Sequence, residues 1–215
     1  EITDAFYKID DAMKAGFGWE NGPFEIWDAI GVEKGIELMK AEGYQPASWV
    51  TDMLASGNTS FYSIKDGATH FYSITNKKVE KIPGQDAFII LNNIRESKKI
   101  WNNSDAIITD LGDGIINLEF TSKMNSIGAG VLQGINKAID IAEKDYNGLV
   151  IGNQGANFSV GANLGMIFMM AVEQEYDELN MAIKMFQDTM MRCRYSAIPV
   201  IAAPHGMTLG GGCEL

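Results

Sequence analysis

The stretch of sequence that decides the fold of this chain is Pro204-His205-Gly206-Met207-Thr208-Leu209-Gly210-Gly211-Gly212-Cys213-Glu214-Leu215. An apolar run over residues 198–203 precedes it and predicts a buried strand. Glycines let a backbone approach a ligand closely because they carry no Cβ, and a helix beginning at Gly212 or Cys213 would point free N–H groups at that ligand. Glu214 would lie in the first turn of this helix. The stretch therefore predicts an oxyanion-binding turn with an acid or base beside it.

A second glycine-rich loop follows another predicted strand, Leu149-Val150-Ile151. It reads Gly155-Ala156-Asn157-Phe158-Ser159-Val160-Gly161-Ala162-Asn163-Leu164-Gly165. Either loop alone is read most simply as ordinary turn chemistry. Two loops that each follow a strand can each supply one N–H, and two converging N–H groups polarise a carbonyl and hold an enolate oxygen.

Composition restricts the class of partner. The 215 residues carry a formal net charge of −11, which argues against a nucleic-acid surface because such a surface needs a basic face. An anionic ligand could still bind through local N–H groups and a few basic side chains. The two cysteines, Cys193 and Cys213, show no framework spacing, so we expect a reducing, cytoplasmic location. No run reaches the ~18 apolar residues of a membrane span, and we expect neither a membrane span nor a metal site.

The two ends of the sequence suggest a piece of a longer protein. The chain begins with Glu1 rather than Met, and its acidic first residues lack the apolar core of a signal peptide. It stops at Leu215, just as the glycine turn opens a helix. We therefore expect further sequence on both sides.

Three regions follow one another along the chain. Residues 1–56 predict three short helices. Residues 57–104 carry the tetrapeptide Phe-Tyr-Ser-Ile twice, with Asp66-Gly67 between the copies, which predicts a β-hairpin followed by a Lys-rich connector and a helix over 91–99. Residues 105–215 predict a second hairpin around Gly112-Asp113-Gly114, then helix, strand, helices and strand. The fold class predicted for this last region is α/β.

The two glycine loops together resemble those of the crotonase (enoyl-CoA hydratase/isomerase) superfamily. In that family the first loop reads Phe-Ser/Ala-x-Gly-Ala-Asp and the second Gly-x-x-x-Gly-Gly-Gly-x-Glu-Leu, and Lys123-Met124-Asn125 matches a basic residue and an Asn at the exit of the family's hairpin. The resemblance implies that residues 105–215 form the first half of a crotonase-like ββα fold. It also implies that the N–H groups of Ala162 and Gly211 bind the thioester carbonyl of an acyl-CoA. Glu214 would be one of two glutamates that add water across the double bond.

The same resemblance implies a wider binding site and one departure from the family pattern. The substrate-binding residues it implies are Ala162, Asn163, Leu164, Gly165, Gly211 and Lys123. Asn163 stands where the family has Asp, which puts any role of that charge in doubt. The second glutamate falls beyond Leu215, so we expect this chain alone not to hydrate crotonyl-CoA.

The N-terminal region resembles a different protein. Residues 13–32, which include Gly16-Phe17-Gly18-Trp19 and Gly22-Pro23-Phe24, are similar to the end of the C-terminal helical domain of 3-hydroxyacyl-CoA dehydrogenases. This order of domains implies a bifunctional enzyme of fatty-acid β-oxidation that hydrates 2-enoyl-CoA and oxidises 3-hydroxyacyl-CoA with NAD. NAD would bind to a dehydrogenase domain outside this chain, which itself would bind no cofactor. The longer protein would form a homo-oligomer.

Other interpretations stay open. The fold could serve an enoyl-CoA isomerase or a thioester hydrolase, or a non-catalytic acyl-CoA-binding or oligomerisation module. His205 is more simply a turn residue than a base, and Cys213 a small buried thiol rather than a nucleophile. Lys123 could be a solvated loop lysine. Methionines at 166, 169, 170, 181, 185, 190 and 191 could line an acyl pocket, although core packing explains most of them.

Overall fold

The computed structural model describes residues 3–215. Their contacts divide them into two compact units, the first ending at Asn93 and the second beginning at Ile94. Within the residues described, no helix has the length and apolar character that a membrane crossing requires.

The first unit combines helices with a small sheet. Its helices are α1 (Tyr7–Phe17), α2 (Pro23–Ile30), α3 (Val32–Ala41) and α4 (Ser48–Ala55). The antiparallel sheet that follows has the order β1 (Tyr62–Lys65), β2 (Ala68–Ser73) and β3 (Lys78–Lys81), and a 3-10 turn at Gln85–Ala87 leads to the short helix α5 (Leu91–Ile94). The predicted hairpin is confirmed, with Ser63 opposite His70. The sequence did not predict α4 or β3.

A buried carboxylate connects the helices of this unit to its sheet. Asp10 on α1 is 1% exposed and accepts hydrogen bonds from the N–H groups of Phe24 (3.0 Å) and Glu25 (3.1 Å) in the first turn of α2. It also accepts one from the Tyr62 hydroxyl at 2.7 Å on β1. Burial raises the pKa of the Tyr62 phenol, and Asp10 raises it further. These bonds satisfy N–H groups that a helix start leaves without partners.

Helices and strands of the first unit share one core. Phe6 packs against Phe24, Trp49, Phe61 and Phe71, with ring centroids 4.8 to 5.7 Å apart. The structure therefore groups residues 57–93 with the helices before them, whereas the sequence predicts a separate connector over 57–104. The region 94–104 falls in the second unit.

The second unit is a five-stranded mixed sheet with helices. Its elements are β4 (Lys99–Asn102), β5 (Ala106–Gly112), β6 (Ile115–Phe120), α6 (Ala129–Asp145), β7 (Gly148–Ile151), α7 (Leu164–Val172), α8 (Tyr176–Tyr195), β8 (Val200–Ala202) and α9 (Gly211–Glu214). The strand order is β4-β5-β6-β7-β8; the first three strands are antiparallel, while β7 runs parallel to β6 and β8 parallel to β7. The predicted α/β class is confirmed. The predicted helix over 91–99 is wrong: α5 ends at Ile94 and Lys99 begins β4.

The sheet and α6 form the core that holds the second unit together. Ile135, Ala138 and Ile139 of α6 are 0% exposed, as are Ile116 and Leu118 of β6. Arg95 donates to Glu119 of β6 from Nη2 to Oε1 at 2.8 Å and to Oε2 at 3.0 Å, and from Nε to Oε2 at 3.1 Å, which pairs an almost fully buried carboxylate with a guanidinium that contacts both its oxygens. Because β6, β7 and β8 are parallel, the loops that follow all three leave the same edge of the sheet, where α/β proteins place their ligands.

Candidate active site

The two glycine loops meet at this edge of the sheet and extend its pairing. Ser159 and Thr208 form a parallel bridge. The Phe158 N–H donates to the His205 carbonyl at 2.9 Å, and the Leu209 N–H donates to the Ser159 carbonyl at 3.0 Å. The loops after β7 and β8 are therefore joined by backbone hydrogen bonds.

Gly161 makes the closest approach between the loops. Its φ is +82°, and a Cβ added there would lie 2.6 Å from the Leu209 carbonyl oxygen and 2.9 Å from the Gly211 nitrogen. Only glycine fits that space and that left-handed backbone without strain. This contact places Ala162, the next residue, beside the start of α9.

Ser159 supports the first glycine loop through hydrogen bonds of its side chain, and the sequence did not predict this role. It is 0% exposed, donates from Oγ to the Asn125 carbonyl at 2.6 Å and accepts from the Gly161 N–H at 3.0 Å. A Cβ added to Gly212 would lie 2.8 Å from the Ser159 Cβ. A small residue is therefore needed at 212 for α9 to pack on this serine. The signal available in the sequence was a small hydroxyl residue inside a glycine loop, which is too common to decide anything alone.

The N–H groups of Ala162 and Gly211 are available to a ligand. Neither donates a hydrogen bond to any group of the protein in the part of the chain that the structure describes. The backbone beside Ala162 is nevertheless held, because the Ile127 N–H donates to the Gly161 carbonyl at 2.8 Å. Two free N–H groups on fixed backbone are what an oxyanion hole requires, since they need no reorganisation when charge develops on the carbonyl oxygen.

A cavity of about 440 Å³ joins these N–H groups to a carboxylate. Ala162, Asn163, Gly211 and Glu214 all line it. Glu214 is exposed and lies on α9, whose first residue is Gly211. The rest of the wall is mostly apolar and comes from α6, α7 and α8. The structure thus brings together the three residues predicted to be catalytic.

Other predicted binding residues lie outside the lining of this cavity. Leu164 is 77% exposed in the first turn of α7, and Gly165 beside it is also exposed. Lys123 lies exposed on a 3-10 turn after β6. The roles of all three in substrate binding stay predictions.

Asn163 has a structural task of its own. Its side-chain oxygen accepts from the Met166 N–H at 3.3 Å, so it is the N-cap of α7. Aspartate could make the same bond, which explains how Asn can replace it without loss of the helix start.

Two further side chains near the glycine turn were weighed in the sequence. His205 lies with Nε2 at 2.8 Å from the Gly155 carbonyl oxygen, a contact that ties the two loops together. Cys213 is exposed, so the expectation of a buried thiol is wrong.

The methionines divide between cavity and surface. Met166, Met170 and Met185 line the cavity, whereas Met190 packs against the core of the sheet. Met169, Met181 and Met191 are 48 to 69% exposed. The sequence interpretation of most of them as core residues is therefore wrong, because of the seven only Met190 packs against the core of the described residues.

Phe186 was predicted only as part of the apolar stripe of α8. In the structure it lines the cavity, and a Cβ added to Gly211 would lie 2.7 Å from its Cζ. The ring therefore lies against another residue that lines the cavity. Helical periodicity could find the apolar position but could not distinguish a core residue from a cavity wall.

Comparison with known proteins finds a family match within the second unit. Residues 111–215 match the family model "Enoyl-CoA hydratase/isomerase". This segment is similar to the enoyl-CoA hydratase/isomerase family. The predicted resemblance to the crotonase superfamily is confirmed.

Relatives of the whole chain have names in fatty-acid oxidation. The chain is 47% identical over 215 residues to a protein of Bacillus subtilis named probable 3-hydroxyacyl-CoA dehydrogenase. It is 29% identical over 214 residues to a Rickettsia felis protein provisionally named fatty acid oxidation complex trifunctional enzyme. Each alignment covers 100% of this chain and 27% of the relative, so the chain spans about a quarter of the length of these relatives.

One solved structure is also similar to this chain. The crystal structure of an enoyl-CoA hydratase/isomerase from Xanthobacter autotrophicus Py2 is 25% identical in sequence. The match covers 53% of this chain and 43% of the other, with a TM-score of 0.45.

Proposed function

We propose that the protein hydrates 2-enoyl-CoA thioesters to 3-hydroxyacyl-CoA in fatty-acid oxidation. One observation carries the proposal: Ala162 and Gly211, whose N–H groups make no hydrogen bond within residues 3–215, line the same cavity as Glu214. Similarity to the family supports an acyl-CoA thioester as the substrate.

The first step of the proposed reaction is activation of the thioester. Its carbonyl oxygen accepts hydrogen bonds from Ala162 and Gly211, which draws electron density from the double bond and makes Cβ open to attack by water. Charge accumulates on that oxygen as an enolate. Because both donors belong to backbone fixed by interloop bonds, their stabilisation is larger for the enolate than for the neutral carbonyl.

The second step is proton transfer by Glu214. Water must lose a proton as it attacks Cβ, and Cα must gain one; a carboxylate within the cavity can serve either task. We assign Glu214 to one of them and the other to a second glutamate C-terminal to Leu215 in the longer protein. Dehydrogenation of the product with NAD is assigned to sequence outside this chain, supported by the name of the Bacillus subtilis relative.

A second candidate reaction is isomerisation of 3-enoyl-CoA to 2-enoyl-CoA. Glu214 is the one carboxylate that lines the cavity within residues 3–215. A single carboxylate suffices for isomerisation, because it can remove a proton from Cα and return it to Cγ of the same substrate. The product distinguishes the reactions, since only hydration consumes the double bond.

The test replaces Glu214 by Gln in the protein that carries this sequence. We expect hydration of crotonyl-CoA to fall by about 10² to 10⁴, while the Kd for butanoyl-CoA, measured by calorimetry, changes less than about threefold. Glu173→Gln is the matched control, because Glu173 is an exposed glutamate outside the cavity lining. Unchanged hydration in Glu214→Gln would overturn the assignment, and isomerase activity without hydration would support the second candidate.

The predicted homo-oligomer and the predicted cytoplasmic location stay predictions. Light scattering on the purified protein measures the first, and cell fractionation measures the second.

A further inference from the structure

An apolar groove leads away from the catalytic end of the cavity between α7 and α8. We define this α7–α8 groove by six lining residues, Met166, Ile167, Met170, Leu179, Ile183 and Phe186. Three come from each helix, and none carries a charge. On α8 they are spaced by three and four residues, so they form one continuous face of the helix.

The near end of the groove is fixed by two contacts with the site. Asn163, the N-cap of α7, follows Ala162 directly. On the other wall, the Phe186 ring lies against Gly211, close enough that a Cβ on Gly211 would be 2.9 Å from its Cε2. A thioester carbonyl held by the two N–H groups would therefore start its acyl chain between these two positions.

The far end of the groove lies about as far from the near end along α7 as it does along α8. Met170 is seven residues beyond Asn163 on α7, and Leu179 is seven residues before Phe186 on α8. At about 1.5 Å per residue, each separation is about 10 Å along its helix. Met170 is half-buried although the other residues of α7 are exposed, and Leu179 is half-buried too. The two side chains are thus packed where the cavity lining ends.

The length of the groove gives the number of acyl-chain carbons that it can hold. An extended chain advances about 1.3 Å per carbon, given C–C bonds of ~1.5 Å at tetrahedral angles, so a groove of about 10 Å takes about eight. We infer that the α7–α8 groove selects straight acyl chains of about eight carbons and that Met170 and Leu179 set the upper limit. This inference rests on the proposed function, because the groove is measured from the thioester site.

The experiment measures the Kd of a series of saturated acyl-CoA thioesters, from butanoyl-CoA to dodecanoyl-CoA, by isothermal titration calorimetry. Each methylene buried in the groove should tighten binding about fourfold. We expect Kd to fall from butanoyl-CoA to octanoyl-CoA and then to level off, because further carbons pass the end of the groove.

Two variants at one position should move that plateau in opposite directions. Leu179→Trp fills the far end, so the plateau should move to about hexanoyl-CoA and octanoyl-CoA should bind at least tenfold more weakly, while butanoyl-CoA should be affected least because its chain ends short of residue 179. Leu179→Ala opens the far end and should extend the plateau towards dodecanoyl-CoA. Asn180→Trp is the control, because Asn180 is exposed on the same helix and outside the cavity lining. In this control, Kd should depend on acyl chain length as it does in the unaltered protein.

The outcomes separate the inference from the proposed function. Butanoyl-CoA that binds with a flat chain-length profile, or a plateau that neither Leu179 variant moves, overturns the inference and leaves the proposed function standing. Absence of binding by every thioester overturns both. If Leu179→Trp does not fold, as judged by circular dichroism, the shift in Leu179→Ala decides.

Discussion

Two helices of the second unit, α6 and α7, use apolar residues in opposite ways. The 17-residue α6 buries seven residues on one face, with polar residues on the other. The nine-residue α7, Leu-Gly-Met-Ile-Phe-Met-Met-Ala-Val, is apolar on every side and none of its residues is buried in the part of the chain described. A periodic apolar face indicates core. Apolar residues without period and without burial indicate a surface that meets something else, and here part of it forms the wall of the site.

The largest expected difference between these helices is in stability. Ile139→Ala in α6 removes a fully buried side chain and should lower the free energy of unfolding by about 2 to 5 kcal/mol, because a cavity is left in packed surroundings. Met169→Ala in α7, at a residue 52% exposed, should change it by less than about 0.5 kcal/mol. Urea unfolding measures both. Equal losses of unfolding free energy would show that α7 is packed as tightly as α6 and would contradict the difference between the two helices.

A smaller effect is expected from adding one methyl group to α6. A Cβ at Gly134 would lie 2.8 Å from the Ala106 Cβ on β5, so Gly134→Ala should cost about 1 to 3 kcal/mol through overpacking. Gly16→Ala is the control: it lies inside α1 with nothing within 4 Å and should stabilise by up to about 1 kcal/mol. Thermal unfolding of the two variants gives the sign of each change. Stabilisation by Gly134→Ala would contradict the close packing of α6 on β5.

The N-cap of α7 should have a weaker and more local effect. Asn163→Ala removes the acceptor for the Met166 N–H and should destabilise the helix by about 1 kcal/mol. Asn163→Asp keeps an acceptor and adds a charge favoured at a helix start, so α7 should be at least as stable in this variant as in the unaltered protein. Hydrogen exchange of the α7 amides measures this directly. Equal protection in both variants would mean that contacts with α8, and not the cap, hold α7.

The smallest expected effect concerns thiol reactivity and leaves stability unchanged. Burial raises the pKa of Cys193 on α8 to about 11. At pH 8 only about one thiol in a thousand is then the reactive thiolate, and this fraction rises about tenfold per pH unit until the pKa is reached. Iodoacetamide should therefore label exposed Cys213 first, with Cys193 following only as the pH rises towards 11. Equal labelling at pH 8, read by mass spectrometry, would show that this face of α8 opens to solvent.

Periodicity and turn residues were sufficient for the longer elements. The helix predicted over residues 176–195 is α8 with the same bounds, and Asp113-Gly114 forms the turn between β5, which ends at Gly112, and β6. Short elements were missed for a physical reason. The four residues of β4, Lys-Ile-Trp-Asn, form an edge strand that is defined by its pairing with β5 and not by a pattern of its own.

The candidate site was predictable where it depends on backbone. Glycine-rich loops placed directly after two strands predicted that each loop could supply one N–H, and the resemblance to the crotonase superfamily implied that Ala162 and Gly211 are the donors. The side chains that support the site come from distant sequence. Ser159 bonds to Asn125 and Phe186 touches Gly211, and such tertiary contacts leave no local pattern by which a single sequence would reveal them.

The topology of the sheet has a consequence for folding order. The β5–β6 hairpin closes through a short turn and can form early, whereas β8 pairs with β7 only after the 48 intervening residues, 152–199, have been spanned. Closing a long loop lowers the entropy of the chain before the contacts between the paired strands can stabilise the structure. Since β8 has three residues and is an edge strand, we expect the turn that follows it, which carries Gly211, to form late and to open before the rest of the sheet. Loss of thioester binding on warming should therefore precede loss of the sheet.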